Sequence, residues 1–137
     1  MASSDKRHLD GRFPIARLEF AQQTFPATAS AALAPTLTNI CGTIKAIEVI
    51  TTDTEDNITY TVALTNSNGT SLFSEAAMTD NTDHWRDSIS NKATMDADFN
   101  PIPVNDTITA TITPSDKPDA SAVGSKIATV DVILYVE

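Results

Sequence analysis

Four stretches of this chain alternate apolar and polar residues with a period of two, and no other feature constrains its fold as tightly. Side chains of a β-strand point alternately to opposite faces, so such alternation marks a strand with one buried side. In the clearest stretch Ile58, Tyr60, Val62 and Leu64 share one face, and Thr59, Thr61, Ala63 and Thr65 share the other. Asn66-Ser67-Asn68-Gly69 follows, a run of residues that tolerate positive φ, and Leu72 and Phe73 then begin a return strand. Ile108, Ala110 and Ile112 alternate with Thr107, Thr109, Thr111 and Thr113 up to Pro114. Near the end, Ala128, Val130, Val132, Leu134 and Val136 face one way, and Thr129, Asp131, Ile133 and Tyr135 the other. Residues 43–51 are rich in β-branched side chains and read as a further strand. Helical spacing is confined to one candidate turn from Asp83 to Ile89, where Trp85 and Ile89 stand four apart. Short strands separated by turn residues predict an all-β chain, an antiparallel β-sandwich or jelly roll, as one domain over residues 38–137. The last strand is a candidate sheet edge, and pairing across an edge is a common route to a homo-oligomer, here a dimer or trimer.

Residues 1–37 differ in character. Pro14, Pro26 and Pro35 interrupt any regular element, and Lys6, Arg7, Arg12 and Arg17 gather positive charge there. Phe13, Ile15, Leu18, Phe20 and Phe25 are too apolar for a solvated tail, since each would bury about 2 kcal/mol if covered. This predicts an extended N-terminal arm that binds a partner through Arg7, Arg12, Phe13, Ile15, Arg17, Leu18, Phe20 and Phe25. The alternative is that the segment packs back on its own sandwich as an extra strand. Residues 78–105 are the least regular part, an excursion pinned by Trp85, Ile89 and Phe99, with Trp85 and Phe99 as candidate interface residues.

The formal net charge is −9 over 137 residues, with a pI near 4.4, so the surface repels phosphate backbones and nucleic acid is not an expected partner. The mean hydropathy is −0.12, and no apolar run approaches the ~20 residues of a membrane-spanning helix, so no membrane role is expected. The positive N-terminal residues lack a following apolar stretch, which argues against a secretory signal. Cys41 is the single cysteine, so no internal disulfide forms, and its apolar neighbourhood predicts a small buried hydrophobe. The Asn-x-Thr sequons at Asn57, Asn68 and Asn105 then read as part of a Thr-rich β protein rather than as glycosylation sites.

His84-Trp85-Arg86-Asp87-Ser88 juxtaposes three hydrolase residue types, but no nucleophile elbow or glycine-rich oxyanion turn accompanies them. Asp96-x-Asp98-x-Asn100 opens like a calcium loop, yet Pro101 stands where the glycine belongs and Thr107 where the bidentate glutamate belongs. Those residues, or Asp53, Glu55 and Asp56, keep an oxygen-ligand site as an alternative to acidic turns facing solvent. No His/Cys cluster, phosphate loop or dinucleotide fingerprint occurs, so no catalytic residue, cofactor or metal is expected.

The strand and turn sequences together resemble small β-sandwich structural proteins of tailed-bacteriophage virions, of the capsid decoration or cement type. Carrying that resemblance are Ile58-Thr59-Tyr60-Thr61-Val62-Ala63-Leu64-Thr65, Asn68-Gly69-Thr70-Ser71-Leu72-Phe73-Ser74, Ile102-Pro103-Val104, Thr107-Ile108-Thr109-Ala110-Thr111-Ile112-Thr113-Pro114 and Val130-Asp131-Val132-Ile133-Leu134-Tyr135-Val136. The resemblance implies a non-enzymatic protein on the outer capsid surface, assembled in the bacterial host cytoplasm, with the major capsid protein as its partner. An alternative of a different class is a glycan- or receptor-binding β-sandwich from a head fibre or tail, whose binding loops would come from residues 78–105.

Overall fold

The computed structural model describes residues 6–9, 13–87, 101–121 and 125–137, with side chains described from Ile15 onward. Among them are nine strands and no helix: β1 (Lys6–Leu9), β2 (Phe13–Glu19), β3 (Gln23–Phe25), β4 (Thr36–Thr51), β5 (Thr59–Thr65), β6 (Ser71–Thr79), β7 (Asp83–Asp87), β8 (Ile102–Pro114) and β9 (Ala128–Val136). Every ladder is antiparallel, and the strands follow the order β1-β2-β9-β4-β8-β5-β6, with β3 on β9 and β7 on β4. The all-β antiparallel architecture read from the alternation is what the chain adopts.

One strand turns this continuous sheet into two layers. The first part of β4, from Thr36 to Ile44, pairs with β8. From Ile44 to Thr51 it pairs instead with β9, and Ala46 to Ile50 pair with β7 on its other side. The change of partner coincides with bulges between Leu37 and Ile40 and between Ile44 and Ala46, which bend a strand and increase its twist. Gly42 lies at the corner with φ 143°, and a Cβ there would come within 2.6 Å of the Glu137 carbonyl oxygen. Only glycine fits both that backbone and that approach.

The two layers share one core. From β9 it takes Ala128, Val130, Val132, Leu134 and Val136; from β5, Tyr60, Val62 and Leu64; and from β8, Ile108, Ala110 and Ile112. These are the inward faces that the period-two pattern marks. Along the open side of the sandwich the Arg86 side chain of β7 reaches Glu75 of β6, with Nε donating to Oε1 at 2.7 Å and Nη2 to Oε2. That forked pair joins strands belonging to different layers.

Four expectations are revised. The last strand is not a sheet edge: β9 lies between β2 and β4 and is paired on both sides. Residues 13–25 are not separate from the domain: Ala16–Glu19 pair with Ile133–Val136, and Gln23–Phe25 with Ala128–Val130. Phe20 at 2%, Phe25 at 1% and Ile15 at 7% exposure are buried by their own chain. The prolines end short strands here without expelling the segment, because Pro14 and Pro26 sit at strand margins or on the β1 side. Asp83–Asp87 form strand β7 rather than a helical turn, since five cross-strand partners on β4 override a weak spacing signal. Cys41 is exposed. The bulge after Leu37, with Asn39 at φ 56°, resets the alternation so that Ile40 turns inward and Cys41 outward.

Candidate docking surface

The outward side of the β4–β8–β5–β6 layer is built almost entirely from hydroxyl-bearing and small side chains. Thr36 stands opposite Thr109, which in turn stands opposite Thr65, and Thr65 opposite Ser71. One rung further along, Thr111 faces Ala63, and Ala63 faces Ser74. Thr113 faces Thr61 on the next. Directly opposed residues on one face lie about 5 Å apart, so these rungs form a close-set array across four strands. Each of these positions is half-buried or exposed, and none carries a charge. In a chain with 20% charged residues and a net charge of −9, an uncharged patch of this kind stands apart from the rest of the surface. Interface centres share that depletion of charge.

The opposite layer carries a different outward cluster. Trp85 and Tyr135 pack with ring centroids 4.9 Å apart and planes inclined at 58°. The Trp85 indole N–H donates to Asp87, and the Tyr135 hydroxyl donates to Glu48 Oε1 at 2.9 Å. Burial raises the Glu48 carboxyl above the usual carboxylate range; the neighbouring Asp83 adds to this, and the Tyr135 hydroxyl works against it. Burial likewise raises the Tyr135 phenol, helped by the Glu48 carboxylate it bonds. The strong tilt between the rings denies a sugar a flat aromatic platform. Phe99, the other aromatic residue proposed for an interface there, lies outside the described residues, as do Ser88 and the Asp96–Asn100 segment.

Within β7 the alternation sends His84 and Asp87 to opposite faces, which separates two of the three hydrolase residue types. A ring nitrogen of His84, Nε2, lies 2.8 Å from the Thr79 carbonyl oxygen. Two of the three acidic residues of the β4–β5 loop, Asp53 and Asp56, are engaged in local structure. Asp53 pairs with Lys126 at 2.6 Å, and Asp56 Oδ2 accepts the Ala120 N–H at 2.8 Å. Asp80 Oδ2 accepts the Thr54 N–H at 2.8 Å. Among the described residues no group of three or more His, Cys, Asp or Glu side chains is placed to hold a metal ion.

The proposed arm residues divide by environment. Ile15, Phe20 and Phe25 are core residues, and Leu18 is partly buried against that core. Arg17 is half-buried and ion-paired with Glu19. Phe13 lies on β2 and Arg7 on β1, opposite Ile15, while Arg12 lies outside the described residues. Two features were beyond the reach of sequence reasoning. Asp119, 7% exposed, closes the β8–β9 loop by accepting N–H bonds from Ser121, Ser125 and Lys126 at 3.1 to 3.2 Å. A hydrogen bond from the Ser121 side chain foremost, and then those backbone bonds, hold its carboxyl down at about 2. The buried Tyr60 hydroxyl has no hydrogen-bond partner among the described residues. Burial first, and then the charge of Asp80, push that phenol up to about 12.

No family model matches this chain, and no curated protein matches it. Solved structures with a related course of the backbone include the T13 particle of infectious bursal disease virus, at TM-score 0.42 and 10% identity, covering 96% of this chain and 35% of that one. T=1 particles derived from infectious bursal virus give TM-score 0.44 and 10% identity over 98% of this chain and 32% of that one. A VP2 subviral particle of infectious bursal disease virus gives TM-score 0.38 and 10% identity over 98% and 34%. This chain therefore spans about a third of the length of those chains. The likeness is loose, and the functional reading rests on this chain's own residues.

Proposed function

We propose that this chain is a non-enzymatic structural component of a virion, a decoration or cement protein on the shell of a tailed bacteriophage. The observation that carries the reading is the uncharged threonine face of the β4–β8–β5–β6 layer. Its strands β5, β6 and β8 include most of the segments that resemble such proteins. Threonine rungs are stiff and flat, with hydroxyls that both donate and accept, so they form hydrogen bonds with a partner at little cost in side-chain entropy. Three rungs at about 7 Å spacing and four strands at about 5 Å give a patch roughly 15–20 Å across. That is about a quarter to a half of the ~800 Å² a stable interface buries per partner. A repetitive shell meets the shortfall by engaging many copies and by contacts outside the face.

Binding to the outer surface of the shell, through the major capsid protein, follows from this reading. The test adds the purified chain to empty shells lacking it and measures bound protein and shell melting temperature. Saturable binding with a higher melting temperature is the expected result, and Thr111→Lys should abolish it while leaving the free domain folded. Thr111→Lys binding like wild type would remove the face from the account.

A further inference from the structure

The strand registers distribute charge unevenly along this molecule. β1 is the edge strand at one end of the strand order, and it pairs with Phe13–Ala16 of β2. β2 meets β9 only from Ala16 onward, where Ala16 stands opposite Val136. The β1–β2 ribbon therefore occupies the end of the sandwich at which β9 finishes. It carries Lys6 and Arg7.

The opposite end gathers acids. Thr51 pairs with Val130 near the start of β9, and the Thr52 N–H donates to the Thr129 carbonyl. The β4–β5 loop leaves from there, and its Glu55 N–H donates to the Pro118 carbonyl of the β8–β9 loop. Asp53, Glu55, Asp56 and Asp116 are all exposed on these loops and outnumber the two lysines there, Lys117, which is exposed, and Lys126, which is held by Asp53. Between the two ends β9 runs nine residues, roughly 30 Å at strand rise. The Debye length is about 10 Å at 0.1 M salt, so the basic ribbon has no means of neutralising the acidic loops of its own chain.

We propose that the basic β1–β2 ribbon of one copy docks on the acidic β4–β5 and β8–β9 loops of a second copy. The complementary surface is then supplied by the same chain, which is present wherever the ribbon is. Such a contact joins different patches on the two partners. It is heterologous and builds a ring or a row, rather than a two-fold dimer. It stands independently of what the threonine face meets, because it uses the ends of the sandwich and not its flat side.

The test is sedimentation of the full-length chain with two charge-reversed variants, Lys6→Glu/Arg7→Glu and Glu55→Lys/Asp116→Lys. Wild type should self-associate at 50 mM salt and weaken at least tenfold at 500 mM. Each variant alone should sediment as a monomer with an unchanged melting temperature. Mixed, they should form a complex, because the basic ribbon of the second meets the intact acidic loops of the first. A wild type that stays monomeric at low salt overturns the proposal, as does association that survives either charge reversal or a mixture that fails to associate. If either variant does not fold, the salt dependence of wild type decides: association insensitive to salt overturns the charge pairing.

Discussion

Replacing Phe25 with alanine asks directly whether the N-terminal segment belongs to the core. Phe25 is 1% exposed, and its ring lies 5.7 Å from the Tyr60 ring at an interplanar angle of 47°. Removing a fully buried phenyl loses its transfer free energy and leaves a cavity, together about 3–5 kcal/mol. The cavity has little chance to collapse, because the backbone of β3 is fixed by its ladder to β9. A domain of this size has roughly 5–15 kcal/mol of stability in all, so the variant should lose a large share of it and melt roughly 10 °C or more lower. Urea titration followed by tryptophan fluorescence and circular dichroism gives the difference at the midpoint. Thr24→Ala on the exposed face of the same strand serves as control and should change stability by less than about 0.5 kcal/mol. A Phe25→Ala loss below about 1 kcal/mol would refute the placement and restore the free arm. Deletion of residues 1–25 should unfold the domain outright, since it removes Ile15, Phe20, Phe25 and the strands along one edge of β9.

The same geometry sets further outcomes. Tyr60→Phe removes a buried hydroxyl that has no partner among the described residues, so it should leave stability unchanged or raise it by up to about 1 kcal/mol, whereas a loss above 1 kcal/mol in a denaturant melt would reveal a missed hydrogen bond. Gly42→Ala must place a Cβ 2.6 Å from the Glu137 carbonyl oxygen at φ 143°, and should cost about 2 kcal/mol or more by thermal melting. Asp119 has a folded-state pKa of about 2, below its ordinary value of 3.8, so its contribution is present above pH 4 and is lost as pH falls towards 2. Asp119→Asn should therefore flatten the acid limb of the stability profile between those values; an unchanged limb would mean that the loop clasp is not what acid breaks.

The strands were legible where one face is dry and the other wet. Ile58 to Leu64 and Ile108 to Ile112 keep a strict two-residue rhythm, because one face meets the core and the other does not; in β9 the inward face keeps it, but Ile133 on the other face is also buried, at 1% exposure. β7 was not legible: His84-Trp85-Arg86 puts bulky polar or amphipathic side chains on both faces, and its strand state comes from β4, more than thirty residues earlier in the chain. Cys41 was misplaced because a bulge leaves no mark in the residue pattern, and one extra residue inverts every later position. The N-terminal segment carried a mixed signal. Its aromatic residues called for a covering surface, but nothing local says whether that surface is the chain's own, and the pairing with β9 joins residues more than a hundred positions apart. As for the docking face, the outward threonines were visible in sequence one strand at a time. Their alignment into common rungs across β4, β8, β5 and β6 depends on register, which only the folded chain supplies.

The central claim, that this is a shell-binding structural protein, is tested most directly by titrating the full-length chain onto empty phage heads that lack it and following the melting temperature of the shell. The account predicts saturation at a fixed number of copies per capsomer and a shell that melts several degrees higher. Heads that neither bind the chain nor gain stability, together with binding of the free protein to a glycan array, would contradict it.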